Sequence, residues 1–139
     1  MLFRSRINLP KHAKGFLLLV GAIFAAIGLL GLYSPVDVVS PVGLQATSVG
    51  AKNEVRAAFG GVYFLFGLYF LWSAFQAVSR RGALTAAILF LGGLAGGRIL
   101  SLFVDGITVN PWIWAFGVLE VVLLAVGLLI AYNERAGRA

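Results

Sequence analysis

Arg98 and Glu120 each interrupt a long apolar run with a full charge, and they are the residues around which any chemistry in this chain must be argued. An ionised side chain at the centre of a membrane-inserted helix costs about 3 kcal/mol, so each should turn inward and take a partner. Ser101 and Asp105 follow Arg98 at i+3 and i+7 on one helical face, and Asp105-Gly106 then reads as a turn. At about 1.5 Å per residue, Arg98 lies about 10 Å short of the end of its helix and Glu120 about 13 Å past Pro111. On neighbouring helices those depths match. Glu54 and Arg56 form a second charged group, at the start of another apolar run. A carboxylate in a first turn is favoured by the helix dipole, whereas a cation there opposes it, so Arg56 calls for a carboxylate partner or an anionic ligand.

Two chemistries fit this set. The first is an Arg98–Glu120 ion pair that fixes helix register and does nothing else. The second is a pocket open at the outer mouth of the helices, where Arg56 and Arg98 hold an anionic or zwitterionic head. Glu54, Asp105 and Glu120 then balance the charge, and Ser101 lies on the same face. Ile113, Gly117, Glu120, Leu124, Gly127 and Ala131 share a helical face, so Glu120 sits on a small, packable stripe.

Enzyme signatures are missing. The 139 residues hold no cysteine and one histidine, His12, which excludes disulfides, thiolate metal sites and thiol redox chemistry. No metal-ligand spacing, phosphate loop or nucleophile–base–acid set is present, and the sequence implies no cofactor. Gly92 to Gly97 is glycine-rich but lies inside an apolar helix, without the preceding strand a nucleotide loop needs. A carboxylate held protonated in apolar surroundings keeps a membrane isomerase or similar lipid enzyme as a minority reading.

The elements that position these charges follow from composition. The chain is 60% hydrophobic and 12% charged, with a mean hydropathy of +0.97, more apolar side chain than a soluble domain this small can bury. Crossing a bilayer takes about 20 apolar residues. Four such runs are present, at about 15–33, 54–78, 83–104 and 111–132. The expected fold is therefore all-α: an antiparallel bundle of four transmembrane helices, flanked by a basic segment over 1–14 and a basic tail over 133–139. The first run reads as an anchor, not a cleaved signal, because it is long and ends in Tyr33-Ser34-Pro35 without a small-x-small site.

The net charge of +6 is distributed along the chain and forms no single patch, so topology explains it better than nucleic acid does. Arg4, Arg6, Lys11, Lys14, Arg80, Arg81, Arg135 and Arg138 fall on one side, leaving only Lys52, Arg56 and Arg98 elsewhere. The positive-inside rule then places both termini in the cytoplasm, with the chain integral to the inner membrane. Trp112 and Trp114 fit an outer aromatic belt.

Between the first two runs, Ser34-Pro35-Val36-Asp37 has an N-cap, an N1 proline and an N3 acid, and Pro41 stops the helix after one or two turns. This predicts a short interfacial helix in the first outer loop. Asn110-Pro111 repeats the cap and proline at the start of the fourth run. Gly21, Ala25 and Gly28, and the pairs Gly92/Gly96 and Gly93/Gly97, are small-residue spacings that admit close helix–helix contact. A fainter echo between the two halves, basic-Gly at Lys14-Gly15 and Arg81-Gly82 with Ala-Phe-Gly at Ala58 and Ala115, suggests an old duplication.

Asn53-Glu54-Val55-Arg56-Ala57 with Gly60-Gly61, then Gly97-Arg98 with Ser101 and Asp105-Gly106, then a glutamate in the last helix, resembles a family of small bacterial four-helix membrane proteins of unknown function, itself distantly similar to the DoxX-like proteins. The resemblance runs from Lys14 to Tyr132, with Phe59 standing where the family has a tyrosine. It implies the fold and no established activity. Two functions are carried forward. The first is a non-catalytic accessory, assembly or scaffold subunit, its partners the lipid bilayer and a homo-oligomer or larger membrane complex. The second is binding or transport of an amphipathic anionic or zwitterionic molecule through the charged pocket.

Overall fold

The computed structural model describes residues 11–136. The expectations for Arg4, Arg6 and Arg138 lie outside the described residues. Helix α1 spans Lys11–Tyr33 and is followed by the short α2, Pro35–Val39, and a 3-10 turn, Ser40–Val42. Helix α3, Val49–Val55, continues without interruption through a π-helical segment, Arg56–Val62, into α4, Tyr63–Phe75. Helices α5, Arg80–Val104, and α6, Pro111–Ala136, complete the chain. Among the described residues every regular element is helical. Four helices are long and apolar enough to cross a membrane: α1, the continuous Val49–Phe75, α5 and α6.

Local sequence accounts for most boundaries. Pro35 starts α2 at N1, and the Ser34 hydroxyl donates to the Asp37 carboxylate, leaving the backbone N–H groups uncapped by it. Helix α2 ends at Val39, two residues before Pro41. Helix α6 is capped as its sequence predicts: Asn110 Oδ1 accepts from the Trp112 N–H at 2.9 Å. Gly106, at φ +93°, supplies the left-handed residue that turns the chain out of α5.

The second long helix begins earlier than its apolar run. It starts at Val49, where Ser48 Oγ accepts from the Ala51 N–H at 3.0 Å. Glu54 is therefore past the first turn, and the dipole reason for a carboxylate there does not apply. The helix also ends at Phe75, before the 78 expected from hydropathy, and α5 starts at Arg80.

The tightest packing joins α1 to the second long helix. A Cβ on Gly28 would stand 2.2 Å from the Phe64 nitrogen, and one on Gly67 2.3 Å from the Ala25 nitrogen. These backbones touch, and only glycine permits it. Around that seam Phe16, Leu17, Val20, Phe24 and Phe70 are buried with Leu84, Leu91 and Leu123 from α5 and α6. Phe24 is the aromatic hub, 4.8 Å from the Phe90 ring and 5.0 Å from that of Tyr63. Helix α6 buries little beyond Leu123 and Gly127 and turns Trp112, Val118, Val122 and Leu129 outward, as a lipid-facing helix does. The glycines of α5 behave differently from those of α1: a Cβ on Gly93, Gly96 or Gly97 would meet nothing within 4 Å.

Candidate functional site

Arg98 and Glu120 form the forked ion pair that their depths predict. Arg98 Nε donates to Glu120 Oε2 at 2.6 Å and Nη2 donates to Oε1 at 2.9 Å, the two-bond geometry that a guanidinium and a carboxylate share. Arg98 passes over Gly117, where a Cβ would meet Arg98 Cδ at 3.5 Å, an ordinary van der Waals contact. The pair is not symmetric in exposure. The Glu120 side chain is 12% exposed and that of Arg98 31%, so the glutamate is the inner partner and the arginine faces outward. Among the described residues this is the only salt bridge, and it leaves Nη1 of Arg98 without a protein acceptor.

Above the pair lies a groove of about 410 Å³ between the end of α5, the connecting loop and the start of α6. Its walls are apolar, made by Ala95, Ile99, Leu102, Val118, Val121 and Val122, with Arg98, Ser101 and Thr108 as its polar residues. Trp114 closes one side, and its indole is held by donation to the Thr108 carbonyl at 2.9 Å. One charge under an oily cleft is the surface an amphipathic molecule matches: a tail excluded from water and a head that accepts hydrogen bonds. Sequence reasoning missed Thr108, Ile113 and Trp114 as lining residues. Trp114 had an adequate explanation as a belt residue, and Thr108 belonged to a loop whose path no pattern predicts.

The remaining charges do not join this site. Ser101 Oγ donates to Asp105 Oδ2 at 2.8 Å, closing the end of α5 on itself, and Asp105 is exposed. Glu54 is exposed on α3. Arg56 pairs with no carboxylate among the described residues; its Nε donates to the Leu32 carbonyl at 3.1 Å. Two physical reasons explain the difference. The helix begins seven residues before Arg56, so the cation is not in a first turn. Leu32 lies in the last turn of α1, where unpaired carbonyls and the negative end of the dipole attract a cation. Neither Glu54 nor Arg56 lines the groove. Of the six candidate residues the structure thus brings together Arg98 with Glu120, and Ser101 with Asp105, and places only Arg98 and Ser101 on the groove wall.

Neither a curated protein nor a solved structure matches the chain. A family described as a domain of unknown function (DUF4345) matches residues 12–131, which include α5, the loop after it and α6 as far as Ala131. The chain belongs to the DUF4345 family.

Proposed function

We propose that this protein binds an amphipathic molecule with an anionic or zwitterionic head, tail in the α5–α6 groove and head on the outward N–H groups of Arg98. The observation that carries the reading is the apolar groove of about 410 Å³ standing on a partly exposed arginine whose Nη1 has no acceptor among the described residues. Glu120 holds the guanidinium in place by its other edge and keeps the buried charge balanced, so the arginine is presented without having to be desolvated alone. In this reading the four long helices form an antiparallel bundle in the bacterial inner membrane with both termini cytoplasmic. Helix α2 then lies at the outer interface near the groove, and the kinship extends to the DoxX-like proteins.

A second reading, a non-catalytic scaffold or assembly subunit, is favoured by one separate observation. The open Gly93, Gly96 and Gly97 face of α5 has the spacing of a helix-packing seam and, among the described residues, no helix on it. Native mass spectrometry of the gently extracted protein distinguishes the two. Groove binding predicts a small amphiphile that stays with the wild type and is lost from Val118→Trp, which fills the groove, and from Arg98→Leu. A bound species that survives both substitutions removes the groove as its seat, and a ligand-free protein of fixed higher stoichiometry supports the scaffold.

A further inference from the structure

At the opposite end of the same helix pair lies a second cleft, of about 210 Å³, between the first turns of α5 and the last of α6. Arg81, Thr85, Glu134 and Arg135 line it, with Leu84 and Ala131 as its apolar side. The spacings are helical: Thr85 stands four residues after Arg81, and Ala131 four before Arg135, so each helix presents one coherent face to the cleft.

The charges in this cleft are unpaired among the described residues. Arg81 and Arg135 are exposed, and among the described residues neither forms an ion pair. Glu134 Oε1 is buried and has no hydrogen-bond partner among them. A buried acceptor left unmade is costly, and a buried carboxylate oxygen more so, so this atom asks for a donor. The two guanidiniums ask for an acceptor of negative charge, which planar N–H forks recognise best as a phosphate or carboxylate. The first turn of α5 reinforces this, because the Ser79 side chain caps none of its N–H groups. One molecule answers both demands only if it carries a negative oxyanion and a hydrogen-bearing cation a few ångströms apart. The cleft has the space of about seven water molecules in the liquid, the scale of a small headgroup. Leu89 of α5 and Leu128 of α6, both exposed, continue the apolar surface from the cleft along the helices, where acyl chains would run.

We propose that this cleft binds the headgroup of a phospholipid bearing a primary ammonium, its phosphate on Arg81 and Arg135 and its ammonium on Glu134. A quaternary ammonium has no N–H to give Glu134, and a headgroup without a cation leaves that oxygen unpaired. The site is independent of the groove at the other end of α5 and α6.

The test is a titration of the full chain in detergent with dioleoyl lipids that differ only in headgroup, read by native mass spectrometry. Phosphatidylethanolamine is expected to bind about tenfold more tightly than phosphatidylcholine or phosphatidylglycerol, the worth of a charge-assisted hydrogen bond. Glu134→Gln is expected to erase that preference, and Arg81→Gln with Arg135→Gln to weaken all three lipids. Val118→Trp in the other groove should leave the preference intact. Phosphatidylglycerol binding as tightly as phosphatidylethanolamine, an unchanged preference in Glu134→Gln, or no retained lipid overturns the proposal. Free phosphoethanolamine competing at the lipid's own concentration would keep the recognition chemistry and overturn the membrane lipid as its source.

Discussion

Asn110 joins two parts of the chain that lie 69 residues apart: its Nδ2 donates to the Pro41 carbonyl at 2.9 Å while its Oδ1 caps α6 through the Trp112 N–H. One amide thus starts a helix and ties the loop before it to the segment after α2. Asn110→Ala should lower stability by about 1–3 kcal/mol, having lost a cap and a long-range bond. Asn110→Asp keeps the acceptor and loses the donor, so it should fall between Ala and wild type in detergent unfolding curves.

Removing one member of the ion pair differs from removing both. Arg98→Met leaves Glu120 unpaired at 12% exposure and should cost about 3–5 kcal/mol. The double substitution Arg98→Met, Glu120→Leu should recover most of that in thermal unfolding, because no charge is then left without a partner. Equal losses in the single and double variants would show that the pair contributes more than mutual neutralisation.

The glycines separate into two kinds. Gly67→Ala places a methyl group 2.3 Å from the Ala25 backbone nitrogen, and should cost about 2–3 kcal/mol by forcing α1 and the second long helix apart. Gly96→Ala meets nothing within 4 Å, and should stabilise the monomer by about 0.5–1 kcal/mol through helix propensity alone. A Gly96→Ala protein that is more stable yet loses a wild-type oligomer, measured by sedimentation, would support the scaffold reading.

Arg56 is expected to act through its bond to the Leu32 carbonyl. Arg56→Met should cost about 1 kcal/mol, the worth of an exposed bond to the Leu32 carbonyl, and should leave amphiphile retention in the α5–α6 groove unchanged. Loss of the retained ligand in this variant would return Arg56 to the site.

What the sequence makes legible here is whatever depends on one helix at a time. Hydropathy marks four long helices, Asn110-Pro111 marks the start of α6, and the matched depths of Arg98 and Glu120 anticipate their contact. What escapes it depends on a backbone partner. Arg56 takes a carbonyl, and every residue has one, so no residue type announces it. The glycine spacings of α1 and α5 look alike as text, yet one seam is filled and the other is open, because the filling helix is chosen by the packing of the whole. The start at Val49 was hidden for a simpler reason: the first turns of that helix are polar, and hydropathy sees only the part that is apolar.

The π-helical segment Arg56–Val62 sets a rule about residue count, separate from residue identity. Its wider turn, hydrogen-bonded i to i+5, accommodates more residues than an α-helix between the same two ends. Deleting one of them would let the segment relax to ordinary α geometry between the same two ends, absorbing a length change that in a plain α-helix would turn everything before it by about 100°. Arg56 would then stay within reach of the Leu32 carbonyl. A single-residue deletion between Ala57 and Val62 should therefore lower the thermal unfolding temperature less than one inside Tyr63–Phe75, whereas a side chain at Gly60 would meet the Leu32 backbone at 3.0 Å.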